Sequence, residues 1–168
     1  MTRTIPASSG KPGLAPIIGR DPEILILGSY PSIQSLEKGE YYGNPQNQFW
    51  KIMELLLGID HTLPYPARTA RLAEHQLALW DVLRTCTRDG SADTAILDPV
   101  SNDIRGFVAA HPTIRCIALN GNTAGHYFTR MNPGLPGIIL PSTSPAYARM
   151  PLAQKAQHWT CICTLNLP

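Results

Sequence analysis

Ile24-Leu25-Ile26-Leu27-Gly28-Ser29 is the stretch that decides the architecture of this chain. Four consecutive apolar residues without alternation, halted by a Gly-Ser pair, describe a short strand buried on both faces, as in a parallel sheet covered by helices on either side. Three further runs resemble it: Leu77-Ala78-Leu79-Trp80-Asp81-Val82-Leu83, residues 114–119, and Ile138-Ile139-Leu140, each followed by polar or turn residues. Stretches with helical spacing fall between them. Residues 48–57 place Phe49, Ile52, Met53, Leu56 and Leu57 on one face, residues 103–110 and 123–131 read similarly, and residues 151–159 open with Pro at a first helical position. Strands alternating with helices imply βαβ units with right-handed crossovers. The expectation is therefore an α/β three-layer sandwich around a central four-stranded, mostly parallel sheet.

A length of 168 residues suits one hydrophobic core, and no break in composition divides it. Residues 21–168 are expected to form a single domain, with residues 1–20, which mix Ser, Gly, Pro and Lys without periodicity, as a flexible N-terminal arm. The 16 Pro and 13 Gly call for several ordered loops. A net charge of +2 is too small to mark a dedicated non-specific nucleic-acid binder, but an enzyme that grips a few phosphates can use hydroxyls and backbone N–H groups instead. Cys86, Cys116, Cys161 and Cys163 contain no C-x-x-C pair, and the five histidines show no paired spacing, so no metal site is expected. Neither a leader-type apolar run nor a membrane-length one occurs, which points to a soluble, cytoplasmic protein.

In parallel sheets ligands sit beyond the strand C-termini, so the chemistry is sought in residues 28–47, 81–93, 120–123 and 141–150. Gly28-Ser29-Tyr30-Pro31-Ser32 leaves the first strand with two hydroxyls beside free amides, a turn able to hold a phosphate or a sugar edge. It is followed by Tyr41-Tyr42, then Asn44-Pro45-Gln46-Asn47-Gln48-Phe49-Trp50, then Trp80-Asp81-Val82, Asn120-Gly121 and Ser142-Thr143-Ser144-Pro145-Ala146. In that order these motifs resemble the hypoxanthine-DNA glycosylase family of the uracil-DNA glycosylase superfamily, and they are similar to its mismatch-specific uracil/thymine branch. The resemblance covers nearly the whole chain after residue 22.

That resemblance implies a uracil-DNA glycosylase-like fold. It also implies a monofunctional enzyme that flips a deaminated base, hypoxanthine first, out of DNA and hydrolyses its bond to deoxyribose. The partner is DNA containing a deaminated base; no cofactor and no metal are implied, and since flipping needs one subunit, a monomer associated with the nucleoid is expected. Tyr30 stands where many relatives carry the Asp or Asn that handles the attacking water, and its phenol stays protonated at neutral pH. The catalytic role therefore passes, by resemblance, to Asn47. Tyr42 takes the stacking position for the base, with Asn120 offering a bidentate amide to the purine edge and Tyr30 and Asp81 completing the base-binding set. Gly28, Ser29, Ser32, Ser142 and Ser144 are expected on DNA phosphate or sugar, and Tyr147, Arg149 and Met150 as the wedge that fills the vacated space in the duplex. Leu140 replaces a histidine of relatives, so no imidazole electrophile is expected there.

Each residue also has a plainer reading. Asn47 suits a helix N-cap, Asn120 an Asn-Gly turn, and Asp81 a loop cap, while Tyr41 competes with Tyr42. Two other functions fit the same scaffold: a uracil-DNA glycosylase acting on mismatched uracil, and a non-catalytic DNA- or nucleotide-binding member of the fold.

Overall fold

The structure is a computed structural model that describes residues 10–164. In chain order its elements are β1 (Ile24–Gly28), α1 (Ile33–Lys38), α2 (Phe49–Leu57), α3 (Tyr65–Glu74), β2 (Leu77–Asp81), β3 (Leu83–Thr87), β4 (Leu97–Ser101), α4 (Ile104–Ala110), β5 (Cys116–Asn120), α5 (Asn122–Met131), β6 (Ile138–Leu140), α6 (Leu152–Trp159) and α7 (Cys161–Thr164). A four-stranded sheet runs in the order β2-β1-β5-β6 with every pairing parallel. The expected α/β architecture is present.

The unbroken apolar run of β1 follows from its place in the middle. Ile24 and Ile26 point into one core, with Phe49 and Met53 of α2, Leu72 of α3 and Trp159 of α6. Leu25 and Leu27 point into the other, with Val82, Ile104 of α4 and Phe128 of α5. All four side chains are fully buried, and each contributes about 1.5–3 kcal/mol through removal from water. Helix α2 buries Phe49, Ile52 and Met53, the face its spacing predicts, and ends at Gly58 in a left-handed conformation.

Several elements depart from the sequence reading. The run over residues 77–83 is not one strand: β2 stops at Asp81 beside Gly28, the last residue of β1, and the chain pivots into β3, which pairs antiparallel with β4 in a separate ribbon. An apolar run cannot show where its neighbour ends. Ile138 and Ile139 are 44% and 51% exposed because β6 is an edge strand, so this triplet is not a buried strand. Helix α3 was not expected; its residues follow a helical period, but its one buried residue is Leu72 and charged and polar side chains dominate it, so it offers no apolar run.

The flexible arm expected over residues 1–20 also needs correction where it is described. Gly13 donates to the Arg84 carbonyl across 2.8 Å, and Ile17 and Leu79 exchange two backbone hydrogen bonds of 2.9 Å. The side chains of Leu14 and Ile17 pack on the core. Irregular backbone can satisfy a sheet edge without any hydrophobic period, and sequence periodicity is blind to that. The remainder of the arm, residues 1–9, lies outside the described residues. Among the described residues no helix is long and apolar enough to cross a membrane.

Candidate active site

A cleft of about 810 Å³ opens at the C-terminal ends of the parallel strands. Each strand end delivers to it: Gly28 from β1, Asp81 from β2, Asn120 from β5 and Leu140 from β6. The loops complete the wall with Ser29, Tyr30, Ser32, Tyr42, Asn47, Ser142, Ser144 and Tyr147. Of the residues singled out in the sequence, only Arg149 and Met150 do not line it.

Its floor is a hydrogen-bonded bridge. Asn120 Nδ2 donates to the Tyr42 hydroxyl at 3.2 Å and to Thr143 Oγ1 at 3.0 Å, while its Oδ1 accepts the Thr143 backbone N–H at 3.0 Å. Both amide hydrogens are thus engaged within the protein. The free bidentate amide expected of Asn120 is absent, because an amide at a buried strand end needs partners and Thr143, itself fully buried, supplies them. The Thr143 carbonyl in turn accepts the Gln48 N–H at 2.9 Å, which ties this loop to the start of α2.

Tyr42 occupies a left-handed backbone conformation, φ 54°, unusual for a bulky residue and characteristic of functional sites. Its ring stacks on Phe49 with centroids 4.1 Å apart and planes 23° from parallel. Burial, then the nearby Asp81 carboxyl, raise its phenol above the ordinary range, so the hydroxyl keeps its proton. Tyr41 is different. It is buried in the core and its hydroxyl donates toward the carbonyls of Leu14 and Ala15 in the arm.

Asp81 is the least satisfied group in the cleft. Its residue is 5% exposed, and its Oδ2 is buried with no hydrogen-bond partner. Burial pushes its carboxyl up to about 7, assisted by Asp93 and opposed by Arg88. Its backbone carbonyl accepts from Asn102 Nδ2 at 2.9 Å, which fixes where β2 ends. Gly28 faces it across the sheet: a Cβ at Gly28 would lie 2.5 Å from Asp81 Oδ1 and 3.4 Å from the Tyr42 hydroxyl. Glycine at the end of β1 thus makes room for this carboxyl.

Asn47 combines its two readings. Its Oδ1 accepts the Phe49 N–H at 2.9 Å, the capping interaction its residue type favours, although Gln48 is the boundary residue of the helix. That bond fixes the carboxamide and leaves the Nδ2 hydrogens for another acceptor.

The hydroxyls expected on DNA fall into two groups. Ser29 Oγ donates to Asp93 Oδ1 at 2.9 Å, and Ser32 Oγ caps α1 and bonds Ser35 Oγ at 3.1 Å. Ser142 Oγ and Ser144 Oγ only accept, from the N–H groups of Ser144 and Ala146 at 3.2 Å, so each keeps a hydrogen to donate. The Tyr30 hydroxyl donates to the Lys11 carbonyl, and the Arg88 guanidinium lies 5.0 Å from its ring. Its polar end is therefore turned toward the arm, a departure from the base-binding role expected of it, since the described arm offers it an acceptor.

Within the wedge segment Tyr147 is half-buried, Arg149 exposed and Met150 half-buried. Lys155 of α6, 1% exposed, donates to the Tyr147 carbonyl at 2.7 Å, with its ammonium 5.2 Å from that ring. Asp93, in a short helical turn before β4, and Lys155, whose burial a helical pattern does not reveal, escaped the sequence reading, while Thr143, read there only as part of a motif, and His158, exposed on the cleft rim, were given no role. Among the described residues, Glu54, Asp60 and His61 form a grouping with metal-ligand spacing, but none of them lines the cleft.

The model of the uracil DNA glycosylase superfamily matches residues 16–163. The chain is 37% identical over 145 residues to a hypoxanthine DNA glycosylase of Methanosarcina acetivorans, covering 83% of this chain and 89% of that protein. It is 36% identical over 118 residues to a hypoxanthine DNA glycosylase of Methanosarcina barkeri, covering 70% and 75%. A solution NMR structure of a uracil DNA glycosylase candidate from Methanosarcina acetivorans is similar with a TM-score of 0.80 and 34% identity, covering 94% of this chain and 99% of that one.

Proposed function

The chain belongs to the uracil DNA glycosylase superfamily, and we propose that it is a DNA glycosylase that removes hypoxanthine from DNA by hydrolysis. The observation that carries this reading is the convergence of Tyr42, Asn47 and Asp81, from three separate segments, on one cleft at the strand ends. Relatives that match over most of its length bear the name hypoxanthine DNA glycosylase.

A base extruded from the duplex enters the cleft and stacks on Tyr42. One face of that ring is covered by Phe49, so the base takes the other. Stacking of this kind is worth about 1–3 kcal/mol and tolerates many bases. Asn120 acts beneath it, bracing Tyr42 and Thr143 in place of reading the base directly. Ser142 and Ser144 donate their remaining hydrogens to DNA phosphates, whose negative charge then lies close to the sugar. Ser29 and Gly28 shape the opposite wall, and Ser32 fixes the turn by capping α1. Tyr147, Arg149 and Met150 form the wedge, its carbonyl at Tyr147 held by Lys155.

The glycosidic bond breaks through a sugar with oxocarbenium character. Asn47, its carboxamide fixed by the Phe49 N–H, donates from Nδ2 to a water and presents the water's free lone pair to C1′. No lysine lines the cleft among the described residues, so no amine is placed to form a Schiff base, and the product is an intact abasic strand. Neither a metal nor a cofactor enters this scheme. The described residues of a single chain line the cleft, and on this reading the enzyme acts as a monomer on nucleoid DNA in the cytoplasm.

The test is an assay over oligonucleotides containing deoxyinosine, deoxyuridine or deoxyxanthosine, with abasic sites revealed by alkaline cleavage. Hypoxanthine release supports the proposal. Faster release of uracil from mismatches would replace it with a uracil glycosylase, and binding without release from any substrate would make the chain a non-catalytic member of the fold.

A further inference from the structure

The cleft contains a group that the scheme above leaves idle. Asp81 is 5% exposed, its Oδ2 has no partner, and glycine at position 28 spares its Oδ1 a Cβ that would lie 2.5 Å away. A buried carboxyl without a partner is costly, and native proteins keep such groups mainly where a ligand or a reaction uses them. The position is also chemically empty in another respect: Leu140 stands at the end of β6 and is itself 5% exposed, so no side chain of that strand end can polarise a departing base.

We propose that Asp81 is a catalytic hydrogen-bond donor of this enzyme, whose neutral carboxyl keeps its proton and directs its O–H at the carbonyl oxygen of the flipped base as that base departs. The idea rests on the glycosylase reading and deepens it. Deamination turns an exocyclic amino group into a carbonyl, so every base in question, hypoxanthine, xanthine or uracil, offers an oxygen acceptor on its pairing edge. When the bond from the base nitrogen to C1′ breaks, its electron pair leaves with the base and spreads through the ring onto that oxygen. A neutral carboxyl stabilises this charge, whereas a carboxylate would repel it. The water held by Asn47 forms the new O–C1′ bond. One water proton ends on the released base nitrogen, the other remains as the 1′-hydroxyl hydrogen, and Asp81 retains its own.

The surroundings favour the neutral form. Asp93 faces Asp81 from the loop before β4 and opposes its ionisation, as burial does, while Arg88 pulls the other way; the phenols of Tyr30, Tyr41 and Tyr42 complete the set and carry no charge near neutral pH. The carboxyl thereby keeps its proton up to about pH 7. A donor of this kind acts only while protonated, so a titration near the working pH shows in the rate.

Single-turnover release of hypoxanthine from a deoxyinosine duplex, measured from about pH 5.5 to about pH 9 with saturating enzyme, tests this directly. The native protein should lose rate above neutrality, about tenfold per pH unit at the upper end, as a single ionisation requires. Asp81→Asn keeps a donor but cannot titrate, so its profile should lose that fall. Asp81→Leu removes the donor and should slow release by about 10²–10³-fold, the range for deleting one oriented hydrogen-bond donor at a developing charge. Affinity for a duplex carrying an abasic site reports whether each variant is folded and should stay within about threefold of native. A native rate that is flat or rises through neutrality overturns the proposal, and this needs no variant. The same fall in Asp81→Asn as in the native protein also overturns it and assigns the titration to another group. Absence of base release by the native protein from any substrate would instead remove the glycosylase reading on which the proposal stands.

Discussion

Asn120 and Tyr42 are joined side chain to side chain, Nδ2 to phenolic oxygen at 3.2 Å, across a sequence separation of 78 residues. The same amide holds Thr143 at both its hydroxyl and its backbone N–H. One residue at the end of β5 thus fixes the stacking aromatic and the serine-bearing loop relative to one another.

Asn120→Ala should therefore act on structure as well as on rate. Losing these bonds leaves the buried Thr143 N–H unpaired, which costs about 1–3 kcal/mol. Urea denaturation should show that loss, and base release should fall for hypoxanthine and uracil alike. A drop confined to hypoxanthine would return Asn120 to reading the purine edge.

Asn47→Ala is expected to lower single-turnover release by about 10²–10³-fold, the usual effect of deleting one oriented polar group in a site. Affinity for abasic-site DNA should persist. The lost cap at Phe49 costs about 1 kcal/mol, too little to unfold the domain. Unchanged release would hand the water to another residue.

Tyr42→Phe keeps the stack on Phe49 and loses only the acceptor for Asn120, a change of about 0.5–1.5 kcal/mol. Tyr42→Ala should weaken productive binding by about 1–3 kcal/mol, the value of base stacking. Comparison of the two by kcat and KM separates the ring from its hydroxyl.

Gly28→Ala forces a methyl group to within 2.5 Å of Asp81 Oδ1. Crowding of this kind costs about 1–3 kcal/mol, and release should fall together with stability. Full activity in the Gly28→Ala variant would show that the Asp81 carboxyl can swing aside without consequence.

Stability should also carry the mark of Asp81. Its carboxyl titrates near 7 in the folded protein against 3.8 for the free side chain. The folded state therefore binds the proton more tightly, so the contribution is complete below about pH 3.8 and is lost as pH rises through about 7. Within that window the slope is at most about 1.4 kcal/mol per pH unit. Chemical denaturation of native and Asp81→Asn proteins at about pH 5 and about pH 8 should show native stability falling relative to the variant at the higher pH.

Much of the fold could be read from the sequence because β1 is buried on both faces, and only a continuous apolar run can fill such a strand. The same rule misled at Ile138 and Ile139, where an equally apolar run lines an open edge. Residue type cannot say how many neighbours a strand has. The candidate site was legible as a neighbourhood: Tyr42, Asn47, Asp81 and Asn120 line one cleft. What each side chain faces was not. Asn120 is engaged by Thr143, and Ser29 by Asp93, through contacts between segments tens of residues apart, which no local pattern encodes.

The paired hydrogen bonds between Ile17 and Leu79 have a practical corollary. In the order β2-β1-β5-β6, strand β2 would otherwise present bare amides along its outer border, and such borders recruit other chains. The leading segment covers the middle of that border at Leu79. A recombinant version trimmed beyond residue 17 would uncover Leu79 and open that border to other chains.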